Sequence, residues 1–243
     1  MLTETYAQVL TDTISQITAN QKDRILQAAE LVKDTIARDG LIYVFGCGHS
    51  HMLAEETFYR AGGLACVSPI FYEPLMLHEG AANSSVLEKS GGLAEKVLRQ
   101  YAITDRDVVF CISTSGVNGV PVEFASALTA RGIPVIGIAS DAYLEQTPKN
   151  SLGKHLQEVC TLCIHNYAPH GDACLQPEGL PVRMTPVSTV AGAFIINSVL
   201  AEATQMALSE GIQVPVYMSG NVPGGAEFNR ALIEKYQPRI RHL

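Results

Sequence analysis

Residues 108–119 constrain the fold more than any other part of the chain, because an apolar run passes into a polar turn and then into a helix. The run Val-Val-Phe-Cys-Ile has the length of one buried strand. The turn after it, Ser-Thr-Ser-Gly-Val-Asn, leaves backbone N–H groups unpaired at the positive end of a helix dipole. Its three adjacent hydroxyl residues, with Gly116 and Asn118, exceed what a turn and a helix cap alone require. The turn is therefore predicted to bind a phosphate without a cluster of Lys or Arg.

A second strand, glycine turn and helix begins at residue 41. The apolar run 41–45 is followed by Gly-Cys-Gly-His-Ser, and residues 51–60 can form a helix that stops at two glycines. Taken alone this motif is a weak signal, because glycines can serve only the geometry of a turn. No third glycine stands at the dinucleotide spacing, so a nucleotide is disfavoured.

The order of the predicted elements defines the fold class. Two helices over residues 3–39 precede strands that alternate with helices, and the predicted strands are 41–45, 64–67, 108–112, 133–139 and 158–164. This alternation predicts an α/β protein with one doubly wound domain, 1–243, around a parallel five-stranded sheet. Residues 1–40 are expected to form a helical arm, and residues 223–243 a C-terminal helical extension.

Ligands of such sheets bind beyond the carboxyl ends of the strands. Ser50, the turn at 113–118, Asp141 and the loop carrying His170 are expected at that edge. Residues 68–92 read as an irregular connection, which is typical of a lid over a site, and residues 166–185 read as a loop rich in Pro and Gly.

Composition limits the partners and the compartment. The chain has 17 basic and 24 acidic residues, a net charge of −7, which argues against nucleic acid. It begins without a leader-like segment, and no apolar run approaches the roughly 20 residues of a membrane-spanning helix, so a cytoplasmic protein without membrane contact is expected. The six cysteines should be free thiols; Cys160 and Cys163 form a CxxC inside a predicted strand, where they should point to opposite faces.

Together the two turns give the chain a resemblance to the sugar isomerase, or SIS, domain family, whose members bind phosphorylated sugars. The resemblance spans about residues 23–210 and looks most like the phosphoheptose isomerase branch, in which two or four subunits build the sites together. It rests on the turn at 46–50, the turn at 113–118 and Pro-Val-Ser-Thr at 186–189. It implies a phosphorylated-sugar ligand and a homodimer or homotetramer. The residues it assigns to the substrate are Gly48, Ser50, Ser113, Thr114, Ser115, Asn118, Ser188 and Thr189.

The resemblance implies catalytic residues less clearly than binding residues. Arg60 occupies the position, ten residues past Ser50, where that branch has a helical acid. Isomerisation of an aldose to a ketose needs a base and an acid, and no cofactor or metal is predicted. The candidate catalytic residues are Glu55, His78, Glu79 and His170. His49 and His51 would suit a metal only with a third ligand. Two functions stay open: a phosphosugar isomerase, and a sugar-phosphate sensor or regulatory protein that does not catalyse.

Overall fold

Five parallel strands form the centre of the computed structural model, which describes residues 1–243. They are β1 (Ile42–Gly46), β2 (Val67–Ile70), β3 (Val108–Ile112), β4 (Val135–Ala139) and β5 (Leu162–His165). Their order across the sheet is β2-β1-β3-β4-β5, and every neighbouring pair is parallel. Every residue of β1 to β4 is buried, because continuous apolar strands require cover on both faces. The predicted α/β class and five-stranded parallel sheet are confirmed.

Helices cover the two faces of this sheet. One layer is built around α8 (Ser188–Ser209), against which α1 (Leu2–Asn20), α2 (Lys22–Ala37) and α3 (Met52–Thr57) pack. In the other layer α4 (Ala81–Lys89), α5 (Ala94–Leu98) and α7 (Leu156–Val159) pack on α6 (Gly119–Thr129). The last helix, α9, spans Gly225–Tyr236. The layers confirm a doubly wound arrangement.

The strand order places two turns side by side. Chain order reverses between β1 and β3, which are paired with Gly46 opposite Ile112. The turns that follow these two strands therefore open into one crevice at the carboxyl edge of the sheet. This is the place where ligands of open α/β sheets bind.

Helix α8 is the one helix long and apolar enough to cross a membrane by length and composition, with a mean hydropathy of 1.2. Its sequence shows no uninterrupted apolar run of that length, because small residues and Ser, Thr and Asn interrupt the apolar ones. Of the 18-residue stretch that gives this hydropathy, 44% is buried inside the protein, where the helix packs against α2 and α3. Its apolar face thus belongs to the core, as in many central helices of globular domains.

Two predicted strands are wrong in position. The second strand lies at Val67–Ile70 and not at 64–67, because Val67 pairs with Ile42 while Leu64 bridges Val216 outside the sheet. The fifth does not begin at residue 158: there the carboxylate of Glu158 accepts the His155 backbone N–H at 2.6 Å and starts the short helix α7. A local bond between a carboxylate and an amide has overridden the strand pattern.

Two predicted irregular stretches contain regular structure. The segment 68–92 carries helix α4, and the segment 166–185 carries an antiparallel hairpin of β6 (Ala173–Leu175) and β7 (Met184–Pro186). Neither shows a clear apolar period, since Ser84 is the one buried residue of α4 and Leu175 that of the hairpin. Hydropathy therefore gave no signal for them.

The six cysteines are free thiols, as predicted. The expectation that Cys160 and Cys163 face opposite sides of a strand is wrong, because Cys160 precedes β5. Both sulfurs lie over Gly137 of β4, where an added Cβ would be 2.8 Å from one and 2.9 Å from the other. Glycine is therefore needed at residue 137 to make room for the two sulfurs.

Candidate functional site

The turn after β3 is fixed by bonds that point away from the crevice. Ser113 is buried; its N–H donates to the Ile138 carbonyl at 3.1 Å, and its Oγ accepts the Gly116 N–H at 3.3 Å. The carbonyl groups of Thr114 and Val117 accept backbone N–H groups from neighbouring segments at 2.9 and 2.7 Å. Gly116 has a φ of +64°, a conformation that glycine adopts without strain. The carbonyl oxygens of the turn are thus tied back into the protein.

The amides of the same turn are free. Five N–H groups of this stretch donate to no group in the protein; they belong to Thr114, Ser115, Val117, Asn118 and Val120. The Gly119 N–H is engaged in the parallel bridge between Asn118 and Lys149. Val120 lies in the first turn of α6, an 11-residue helix without a side-chain cap. Unpaired N–H groups and the positive end of a helix dipole favour an anion. The turn will be called the amide cradle.

Four of the residues predicted to bind substrate line one narrow cleft beside this cradle. Its walls come from the turn after β1, the end of β3, the amide cradle and the first turn of α8; they are His49, Ser50, Leu53, Ile112, Thr114, Ser188 and Thr189. The cleft encloses about 10 Å³, roughly the space of one water molecule. A ligand larger than water would therefore have to part these walls.

The N–H groups at the start of α8 are capped by a carboxylate of the protein itself, that of Asp172. Asp172 Oδ1 accepts the backbone N–H groups of Val187 at 3.0 Å and Ser188 at 2.8 Å. Its Oδ2 accepts the Ser188 hydroxyl proton at 2.6 Å. Ser188 can therefore only accept hydrogen bonds from a ligand. Asp172 is not among the predicted substrate or catalytic residues, since a loop carboxylate gives no sign of which helix it will cap.

The glycine turn after β1 brings a buried histidine next to a candidate acid. A Cβ on Gly46 would lie 2.6 Å from the Ser50 carbonyl, so no larger residue fits there. His51 is buried; its Nδ1 contacts the Gly48 carbonyl, and its Nε2 lies 3.4 Å from Glu55 Oε1. No group of three metal-ligating side chains occurs here or elsewhere in the protein.

The four predicted catalytic residues do not meet in one place. Glu55 is exposed and borders an open hollow shared with Thr189. His78 and Glu79 are exposed on the rim of a separate groove of about 550 Å³ that includes the C-terminal tail, although the ring of His78 is 6.1 Å from that of His51. The exposed His170 stacks on Tyr143 with ring centroids 4.7 Å apart.

Another carboxylate, Glu88, lies closer to the amide cradle and is also absent from the predicted site residues. Its Oε1 accepts a hydrogen bond from Asn118 Nδ2 at 2.9 Å. Burial raises the pKa of Glu88 above its ordinary value, and the bond from Asn118 opposes that rise. The residue belongs to α4, inside the segment predicted to be irregular, so its approach to the turn is visible only in the folded chain.

The crevice between β1 and β3 has a glycine turn on one side and the amide cradle on the other, which is the arrangement of a SIS domain. The chain belongs to the SIS domain family, whose model matches residues 5–140. It is similar to the UPF0309 protein of Geobacillus thermodenitrificans, with 44% identity over 97% of this chain and 95% of that one. The UPF0309 protein BH0227 of Halalkalibacterium halodurans is 45% identical over 93% of this chain and 92% of that one.

A solved structure shares the fold at low identity. It is that of the Vibrio vulnificus NanR protein complexed with ManNAc-6P, which is 15% identical and matches with a TM-score of 0.50. The match covers 98% of this chain and 69% of that chain. It extends the fold assignment over nearly the whole sequence.

Proposed function

We propose that the protein binds phosphorylated sugars at the amide cradle. The observation that carries this proposal is the set of five free N–H groups at residues 114–120, beside the hydroxyls of Ser50, Thr114 and Thr189. A phosphate monoester supplies several acceptor oxygens to such a set, and the hydroxyl residues also suit the sugar. Membership of the SIS family and the ManNAc-6P bound by NanR support the same ligand class.

The reaction that suits this ligand best is isomerisation between an aldose and a ketose phosphate. It requires a group that carries a proton between adjacent carbons and another that opens the ring. Glu55, His78, Glu79 and His170 are the candidates among which the sequence left the choice open. A sugar-phosphate sensor without catalysis is the second candidate function, favoured by the scatter and exposure of those four side chains.

Self-association completes the proposal. We expect a homodimer or homotetramer in the cytoplasm, where phosphorylated sugars are retained by their charge, and no nucleic-acid partner. Exposed apolar side chains next in sequence to the cleft residues Leu53 and Thr189, Met52 at 42% and Val190 at 39%, favour a subunit contact there. Light scattering of the purified chain tests this point, and a monomeric mass contradicts it.

Thermal unfolding in the presence of sugar phosphates tests the ligand. A ligand at one hundred times its dissociation constant stabilises the fold by about 2.7 kcal/mol. Arabinose 5-phosphate, fructose 6-phosphate and sedoheptulose 7-phosphate are the probes, with inorganic phosphate and free sugars as controls. We expect stabilisation by at least one sugar phosphate and none by the free sugars.

A double variant locates the site. Thr114→Ala with Ser115→Ala removes two hydroxyls from the cradle and should abolish most of the stabilisation, while Ser209→Ala, at the far end of α8, should leave it unchanged. Ser113 is kept because its Oγ holds the turn together. An undiminished response in the double variant rejects the cradle as the phosphate site.

A further inference from the structure

Glu88 stands at the junction of the two turns that form the crevice. Its Oε1 is bonded to Asn118 of the amide cradle, and its Oε2 lies 3.9 Å from where a Cβ on Gly48 would be, in the glycine turn after β1. The last turn of α4 is pressed onto the start of α6, since a Cβ on Gly119 would lie 3.1 Å from the carbonyl oxygens of Lys89 and Ser90. The position of the carboxylate is thus set by packing between two helices.

The bonds of Glu88 leave it available for chemistry. It takes none of the free backbone N–H groups of the cradle, because its one hydrogen-bond donor is the side chain of Asn118. Its Oε2 has no partner, and no Lys or Arg forms an ion pair with it. A phosphate can therefore occupy the cradle while the carboxylate stands beside it.

The electrostatic surroundings distinguish Glu88 from the other carboxylates of the chain. Burial raises its pKa, whereas the hydrogen bonds and cations around Asp39 and Glu158 lower theirs. The charged or titratable groups that face Glu88 are Lys89, which lowers its pKa, and the buried thiol of Cys47. A carboxylate with a raised pKa is a stronger base than an exposed one, and its pKa lies closer to neutral pH, where a single group takes up and returns a proton most efficiently.

We infer that Glu88 is the catalytic residue that moves the proton between the two reacting carbons of the sugar phosphate, an inference that rests on the function proposed above. In the open-chain aldose, the Glu88 carboxylate removes the proton from C2. The electron pair of that C–H bond becomes the C1–C2 double bond, and the carbonyl pair moves onto the oxygen of C1 to give an enediolate. A proton passes from the C2 hydroxyl to the C1 oxygen. The protonated Glu88 then returns its proton to C1, so the ketose forms without a net oxidant or reductant.

Exchange of the C2 hydrogen with solvent measures this step directly. The protein is incubated in D₂O with the probe that gave the largest stabilisation among arabinose 5-phosphate, fructose 6-phosphate and sedoheptulose 7-phosphate, and deuterium at the carbon next to the carbonyl is followed by NMR. Glu88→Gln keeps the acceptor for Asn118 but cannot take a proton at neutral pH. We expect it to retain the thermal stabilisation by the same probe and to lose deuterium incorporation by a factor of about 100 or more.

A matched control and a second carboxylate variant complete the test. Glu227→Gln on the exposed side of α9 should leave exchange unchanged, and Glu88→Asp, which withdraws the carboxylate by one methylene, should retain a small part of it. Exchange by Glu88→Gln at the wild-type rate overturns the inference while the ligand proposal stands. Wild-type binding without any exchange also overturns it, in favour of the sensor. Absence of stabilisation by every probe overturns the proposed function itself.

Discussion

Helices α6 and α8 both begin at the walls of the same cleft, and their first turns are completed in opposite ways. At α8 the carboxylate of Asp172 accepts two backbone N–H groups and one hydroxyl, all within 3.0 Å. At α6 the preceding turn and the first turn of the helix leave five N–H groups free. The start of α8 contains its own anion, and the start of α6 lacks one. The comparison shows which of two chemically similar helix ends is available for a ligand.

The use of asparagine sharpens this contrast. Asn118 stands at the N-cap position of α6, where asparagine usually accepts a helix N–H, yet its side chain donates to Glu88. The helix end thus gives up a cap and gains a neighbouring carboxylate that is held clear of the free amides. The helix forgoes the stability that a cap would give it, as is typical of a site kept free for an anion from outside the chain.

The largest effect is expected when α6 is given an anion of its own. Ser115→Asp places a carboxylate at the amide cradle, where it competes with and repels a phosphate. We expect the affinity for the stabilising sugar phosphate, measured by calorimetry, to fall by about 100-fold or more, since like charges in a shared site cost several kcal/mol. Ser115→Asn, similar in shape and uncharged, should lose much less. Equal losses for the two variants would show that size and not charge is responsible.

Removal of the internal anion of α8 comes next. Asp172→Ala leaves the Val187 and Ser188 amides without their acceptor and should lower the free energy of unfolding by about 2 kcal/mol. Urea unfolding measures this change. Asp105→Ala, an exposed residue with no side-chain bond, is the control and should stay within about 0.5 kcal/mol of wild type. If the free energy of unfolding of Asp172→Ala also stays within about 0.5 kcal/mol of wild type, water replaces the carboxylate at no cost.

A smaller loss is expected at the corresponding position of α6. Asn118→Ala removes one bond to a partly buried carboxylate and no helix cap, so the free energy of unfolding should fall by about 1 kcal/mol or less, clearly under the value for Asp172→Ala. The bond from Asn118 lowers the pKa of Glu88, so its removal should raise that pKa further. The acidic limb of deuterium exchange against pH should then move to higher pH. An acidic limb that stays at the same pH would show that Glu88 does not act in the exchange step.

The smallest effect is the pH dependence of stability due to Glu88. Its folded-state pKa is raised above the ordinary value of 4.5, so the native state binds more protons than the unfolded state between those two values. Stability from this group therefore falls as pH rises through that interval, and it is fully recovered below the ordinary value. In Glu88→Gln, the free energy of unfolding should therefore fall less than in wild type between about pH 4 and about pH 7. An unchanged slope would contradict the raised pKa.

Local residue patterns specify the parts of this protein that depend only on neighbouring residues. The run Val108–Ile112 and the turn after it specify a buried strand, an open turn and a helix start through hydrophobicity, hydroxyl content and glycine alone. The alternation of such units specified the parallel sheet, because crossovers between parallel strands have one hand and need helices to cover them. The position of the crevice followed from that topology.

Long-range packing sets which groups face one another across that crevice. Asp172 caps Ser188 over 16 residues of chain, and Glu88 meets Asn118 over 30, in both cases through segments whose composition gives no apolar period. A carboxylate in a polar segment reads alike whether it will be solvated, cap a helix or stand beside a site. Its role is fixed by desolvation and by the donors that packing brings to it, and these exist only once the chain has folded.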